Sequence, residues 1–151
     1  MTPEEIKAGM PLMVPFIATL RLEYDEVAPE RTVLRLLDDP AFHNHVGGPH
    51  AGAIFTLAES ASGAAVMAAF GDLLDRVTPL AASATITYRK LQKGPVTATA
   101  ALGRPIDEVL AGVEAGELVQ FPVEVVMTDE AGTVTSELTI SWALKPHRRP
   151  A

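Results

Sequence analysis

The chain has 151 residues with a formal charge of −7, room for one domain built on one hydrophobic core. Hydrophobic residues make up 48% and charged residues 21%, which excludes a disordered chain; the acidic balance argues against general nucleic-acid binding, where phosphates demand a basic face. With no cysteine, disulfides, thiolate metal sites and cysteine nucleophiles are all excluded.

Thr2-Pro3-Glu4-Glu5 reads as a capped helix start, predicting a short helix over residues 3–9. From Phe16 to Asp25, Ile17, Leu20, Leu22 and Tyr24 mix with Thr19, Arg21 and Glu23, which predicts a strand with one wet face. Glu30 to Leu37 predicts a second strand, ended by Asp38-Asp39-Pro40. A polar loop through Gly47-Gly48-Pro49 then leads to an alanine-dense helix over about residues 51–70, whose single ionisable group is Glu59. Its length would span a membrane, but small residues give little transfer energy and a central acid is costly there. The acidic start MTPEEIKAGM lacks a signal peptide's basic region and apolar core, so the expected location is the cytoplasm, away from membranes.

Four more strands are predicted: Leu80 to Lys90, Val96 to Leu102, Val119 to Met127, and Val134 to Leu144 after the turn Asp129-Glu130-Ala131-Gly132. An insert over about residues 105–115 spaces Ile106, Val109, Leu110 and Val113 like one face of a short helix. Strand, strand, long helix and four strands give an α+β chain of one domain over residues 1–151. The apolar helix must cover the sheet, and its far side needs a further cover, which predicts a homo-oligomer, dimer or tetramer.

The run from Asn44 to Glu59, NHVGGPHAGAIFTLAE, resembles the hotdog-fold thioesterases, in particular the phenylacetate-pathway (PaaI-like) acyl-CoA thioesterases, in a DUF4442-like variant. The shared pattern is an asparagine, a glycine-bearing loop, a histidine opening the helix, and an acid just over two turns on. Thr85-Ile86-Thr87-Tyr88 is similar to the family's Ile-x-Tyr strand. The resemblance implies a curved antiparallel sheet wrapped around one long helix, with dimers joined through sheet edges.

The implied activity is hydrolysis of an acyl or aryl thioester of coenzyme A, with no metal or redox cofactor, coenzyme A being part of the substrate. The reaction needs an activated water or carboxylate nucleophile and donors for the oxyanion. By the resemblance, the backbone N–H of Ala51, with that of Gly52, polarises the carbonyl, and Asn44 bonds the substrate or the water. Glu59, in apolar surroundings, serves as general base or as a nucleophile through an anhydride. The bland alternatives are a structural carboxylate at Glu59, a loop anchor at Asn44, and a ring packed at the helix start for His50, against its role in substrate contact.

Two departures stand out: Ala51 replaces the usual glycine, and Ala81 stands where relatives carry a serine or threonine from the neighbouring subunit, leaving Ser83 or Thr85 as substitutes. Arg89, Lys90, Lys93 and Arg104 at strand ends either hold the phosphates of coenzyme A or are ordinary solvated side chains. Lys145, Arg148 and Arg149 form a basic tail, and the insert either caps a substrate tunnel or merely connects. A metal cluster of His43, His45, His50 and Glu59 lacks a second acid at ligand spacing. Ser60, Ser62, Gly63 and Ala64 leave room for either an aryl ring or a short chain. The rival readings are a non-catalytic thioester or acyl-chain binder, and a hydratase of the same fold.

Overall fold

The computed structural model describes residues 1–147, so Arg148 and Arg149 of the expected basic tail lie outside the described residues. Thr2 accepts from the Glu5 N–H while the Glu5 side chain accepts from the Thr2 N–H, a reciprocal cap that starts α1, Pro3–Met13. A second helix, α2, Pro15–Leu20, follows directly. Two strands come next, β1 Glu23–Val27 and β2 Thr32–Leu36, then the long helix α3, Ala51–Phe70. After α3 the chain forms β3 Val77–Tyr88, β4 Val96–Leu102, helix α4 Ile106–Glu114, β5 Val119–Thr128 and β6 Val134–Pro146.

The strand predicted over Phe16–Asp25 is thus corrected: its first half is helical. Pro15 stands at the first helical position, where its missing N–H costs nothing, and Ile17 and Leu20 bury themselves three residues apart on one helical face. Arg21, at φ 50, ends the turn in the left-handed conformation. The first helix also runs to Met13 rather than stopping near residue 9, with Pro11 inside it.

All strand pairs are antiparallel, in the order β1-β2-β4-β5-β6-β3. This is the hotdog arrangement. The chain leaves β2 at one side, crosses the sheet as α3, and returns as β3 on the opposite edge. Alternation sets the core face: Val119, Phe121, Val123, Val125 and Met127 of β5 and Leu138, Ile140, Trp142 and Leu144 of β6 are buried. Ala98 and Ala100 of β4 let the small residues Ala58, Ala61, Ala64 and Ala65 of α3 approach closely. Phe70 meets Phe121 with ring centroids 5.2 Å apart, and the Trp142 indole N–H donates to Ser62 Oγ at 3.0 Å. By length and composition α3 could cross a membrane, yet 67% of its apolar window is buried inside the protein.

The outer edge behaves differently. From Leu80 to Thr85, β3 is exposed on both faces, and no strand pairs with its free edge among the described residues. Helix α4 buries Val109 and Val113 and packs on β5. It borders a cleft of about 780 Å³ with Pro29 and Glu30, beyond the end of β4 that lies away from Lys93.

Candidate active site

The loop before α3 is built by Asn44. Its side-chain Oδ1 accepts from the N–H groups of Val46 at 3.0 Å and Gly48 at 3.3 Å, and its Nδ2 donates to the Pro49 carbonyl at 3.3 Å. The backbone closes the same loop, with the Asn44 N–H donating to Gly48 O at 2.7 Å. Asn44 therefore anchors the loop through an Asx-type turn, and two of its three side-chain bonds take the oxygen. The His50 N–H donates to Phe42 O at 2.7 Å, which fixes where the helix starts.

At that start, His50 is the N-cap: its Nδ1 accepts from the Gly52 N–H at 2.9 Å. An accepting Nδ1 carries no proton, so in the neutral ring the proton sits on Nε2. The Ala53 and Ile54 N–H groups both turn to the His50 carbonyl, at 2.9 and 3.1 Å. Of the first-turn donors, only the Ala51 N–H has no acceptor among the described residues. It stands at the positive end of a 20-residue helix. Of the two N–H groups expected to meet the carbonyl, that of Gly52 is committed to His50.

Ala51 opens on a pocket of about 360 Å³ lined also by Asn44, Pro49, Ile54, Tyr88, Arg89, Lys90, Leu91 and Gln92. Four residues expected in the site, Asn44, Ala51, Arg89 and Lys90, thus share one cavity. The Tyr88 hydroxyl donates to the Ala51 carbonyl at 3.1 Å and pins the end of β3 over the helix start. Gln92, almost fully buried, holds the next loop: it donates to the carbonyls of Lys93 and Pro95, at 3.0 and 3.1 Å, and accepts from Thr135 Oγ1 at 2.6 Å. Gly48 packs directly on the Gln92 carbonyl, where any Cβ would overlap it. Tyr88 stood in the recognised strand motif without a role. Gln92 carried no signal, being one polar residue in a polar loop.

Glu59 lies further along the helix. Gly52, Phe55, Thr56 and Glu59 succeed one another on one face, and Glu59 is half-buried there. Burial pushes its carboxyl above the ordinary 4.5, with no hydrogen bond or charge contributing. Eight residues separate Ala51 from Glu59, about 12 Å of helical rise. Within one protomer the carboxylate and the free N–H therefore stand apart.

Ser83 and Thr85, expected as substitutes for a serine or threonine from the neighbouring subunit, face away from α3 of their own chain. An extra residue between Ala81 and Ser83 breaks the alternation of β3: Ala81 pairs with Trp142, but Ser83 pairs with Ser141 and Thr85 with Thr139. Trp142, Ile140 and Leu138 face the core, so Ser83 and Thr85 lie on the opposite face of the sheet, turned away from α3. Thr85 lines an outer groove with Glu124, Glu137 and Thr139. Arg89 reaches the same groove and pairs with Glu137. Arg104 is separated from this basic group: it follows the far end of β4 and pairs with Glu108 at 3.3 Å. His43 and His50 line one cavity, but His43 pairs with Asp38 at 2.6 Å and His50 caps its helix. Among the described residues no three His, Asp or Glu side chains converge as metal ligands would.

The chain matches the DUF4442 family, described as "Domain of unknown function", over residues 2–144. It superposes on a Pseudomonas aeruginosa protein of unknown function, described as "Probable Thioesterase", with a TM-score of 0.85 and 26% identity, covering 97% of each chain. A thioesterase family protein from Silicibacter pomeroyi gives a TM-score of 0.75 at 18% identity, covering 95% of this chain and 98% of that one. A variant of a Pseudomonas aeruginosa thioesterase gives 0.75 at 17% identity, with 97% and 96% covered. No curated protein matches the chain in sequence. The fold and these likenesses agree: the chain belongs to the DUF4442 family, within the hotdog thioesterase superfamily.

Proposed function

We propose that the protein hydrolyses acyl-CoA thioesters in the cytoplasm, as a homodimer or a pair of such dimers, in the manner of the PaaI-like enzymes. The observation that carries this reading is the combination on one helix of a free first-turn N–H at Ala51 and a desolvated, unpaired acid at Glu59. Buried unpaired carboxylates are expensive and mark working sites.

In this reading the thioester carbonyl oxygen sits on the Ala51 N–H, whose dipole stabilises charge as it develops there. Glu59 takes a proton from a water, the hydroxide adds to the carbonyl carbon, and the carbon–sulfur bond breaks. The thiolate leaves and is protonated from Glu59, giving a carboxylic acid and free coenzyme A. The covalent route, with Glu59 attacking directly and water opening the anhydride, uses the same groups. Asn44 acts by holding the loop, with Tyr88 at the end of β3 and Gln92 in the loop after it in support. Arg89 and Lys90 at the pocket's rim suit the phosphates of coenzyme A.

The separation of about 12 Å along the helix favours a site shared by two copies, the N–H from one and the acid from the other. The half-open face carrying Glu59 and the exposed, unpaired edge of β3 support such a pairing. Ala51 and Ala81 favour the rival reading, a binder that holds thioesters without turning them over. Release of free thiol from a panel of acyl-CoAs distinguishes the two. The hydrolase reading predicts turnover that Glu59→Gln abolishes. No turnover of any acyl-CoA, or full rate in Glu59→Gln, overturns it.

A further inference from the structure

A second cavity, of about 530 Å³, opens on the other side of the helix start. Its walls include Phe16 and Leu20 from α2, Phe42 and His43 from the loop, and His50 and Phe55 around the start of α3. The two cavities contrast in chemistry: three phenylalanine rings here, Arg89, Lys90 and Gln92 there. A thioester of coenzyme A has the same two-ended character, a charged carrier on one side of the sulfur and an acyl group on the other.

Phe55 and Thr56 lie one turn before Glu59 on the same face. The outer wall is thin. Helix α2 has six residues, is buried only at Ile17 and Leu20, and exposes Phe16 by 63% beside exposed Leu12, Met13 and Val14. A run of large apolar side chains held in water is a cost that a bound apolar group would relieve.

We propose that this cavity takes the acyl group of the thioester, and that this group is an apolar chain longer than acetyl, held under α2. The proposal rests on the hydrolase reading and adds the substrate class to it. Acetyl would leave most of a cavity of this size empty, while each further methylene would find apolar wall.

The test is kcat/KM across straight-chain acyl-CoAs from acetyl to dodecanoyl, in the wild type and in Thr19→Trp and Phe16→Ala, each checked by thermal melting. Thr19 also lines the cavity and is exposed on α2, so a tryptophan there narrows the space. In the wild type we expect a rise of about fourfold per added methylene until the wall is reached. Thr19→Trp flattens that slope and Phe16→Ala reduces it. Equal slopes in wild type and Thr19→Trp, or acetyl as the best substrate, overturn the proposal. Calorimetric binding of free straight-chain carboxylic acids to the wild type and to Thr19→Trp separates it from the hydrolase reading. Thr19-dependent, chain-length-dependent binding without turnover upholds the cavity and refutes the hydrolase; turnover without chain-length dependence does the reverse.

Discussion

Ala51→Pro isolates the oxyanion donor with little disturbance to the fold. Ala51 is the first helical residue, a position where proline is favoured because its N–H has no helical partner. The residue before a proline must be extended, and His50 already is, at φ −62 and ψ 142. No acceptor among the described residues loses a bond, since the Ala51 N–H has none. Stability should therefore move by no more than about 0.5 kcal/mol. Removing one preorganised oxyanion donor costs roughly 100- to 1,000-fold in kcat. Thiol release with a good acyl-CoA substrate measures the loss, thermal unfolding checks the fold, and Ala51→Gly, which keeps the N–H, should retain activity. A proline variant that melts like the wild type and keeps kcat within threefold would show that this N–H does not carry the oxyanion.

Further outcomes follow from the same geometry. Because Glu59 must be ionised to accept a proton or attack, kcat/KM should climb as pH rises through its raised pKa and then level off. The stability effect has the opposite sign: the folded state binds the Glu59 proton more tightly than the unfolded state, so stability is lost as pH rises through the folded pKa. Glu59→Gln should accordingly melt higher than the wild type at neutral pH, with the gap closing below about pH 4.5; a variant that melts lower at pH 7 would refute the burial argument. Gly48→Ala drives a methyl into the Gln92 carbonyl and should cost about 1–3 kcal/mol in denaturant unfolding; an unchanged midpoint would refute the close approach. Gln92→Leu leaves the buried Thr135 hydroxyl and two carbonyls without their amide partner, for about 1–3 kcal/mol, and should lower kcat by loosening the loop.

The central helix was legible because its boundaries are written twice, in the glycine-proline loop before it and in the end of its alanine-rich run. The strands β4 to β6 were legible because alternation over seven or more residues has one reading. Helix α2 was not, because six residues with Ile17 and Leu20 as anchors fit one and a half helical turns as well as part of a strand. The facing of Ser83 was hidden for a different reason. A single extra residue in β3 reverses the faces downstream, and nothing in Ala81-Ala82-Ser83 announces it. At the site, spacing drew attention to Asn44, His50, Ala51 and Glu59. Their division of labour depends on which atoms the backbone already occupies, as the Asn44 Oδ1 and the Gly52 N–H show.

The claim that Glu59 and the Ala51 N–H act on one thioester, supplied by two copies of the chain, is tested most directly by mixing two inactive variants. Glu59→Gln and Ala51→Pro are co-expressed, or unfolded together and refolded, and thiol release is compared with each variant alone. In a mixed dimer one shared site carries both changes and the other carries neither. Half the dimers are mixed and half their sites intact, so activity should return to roughly a quarter of the wild-type rate. Mixed dimers as inactive as the parents would contradict the shared site.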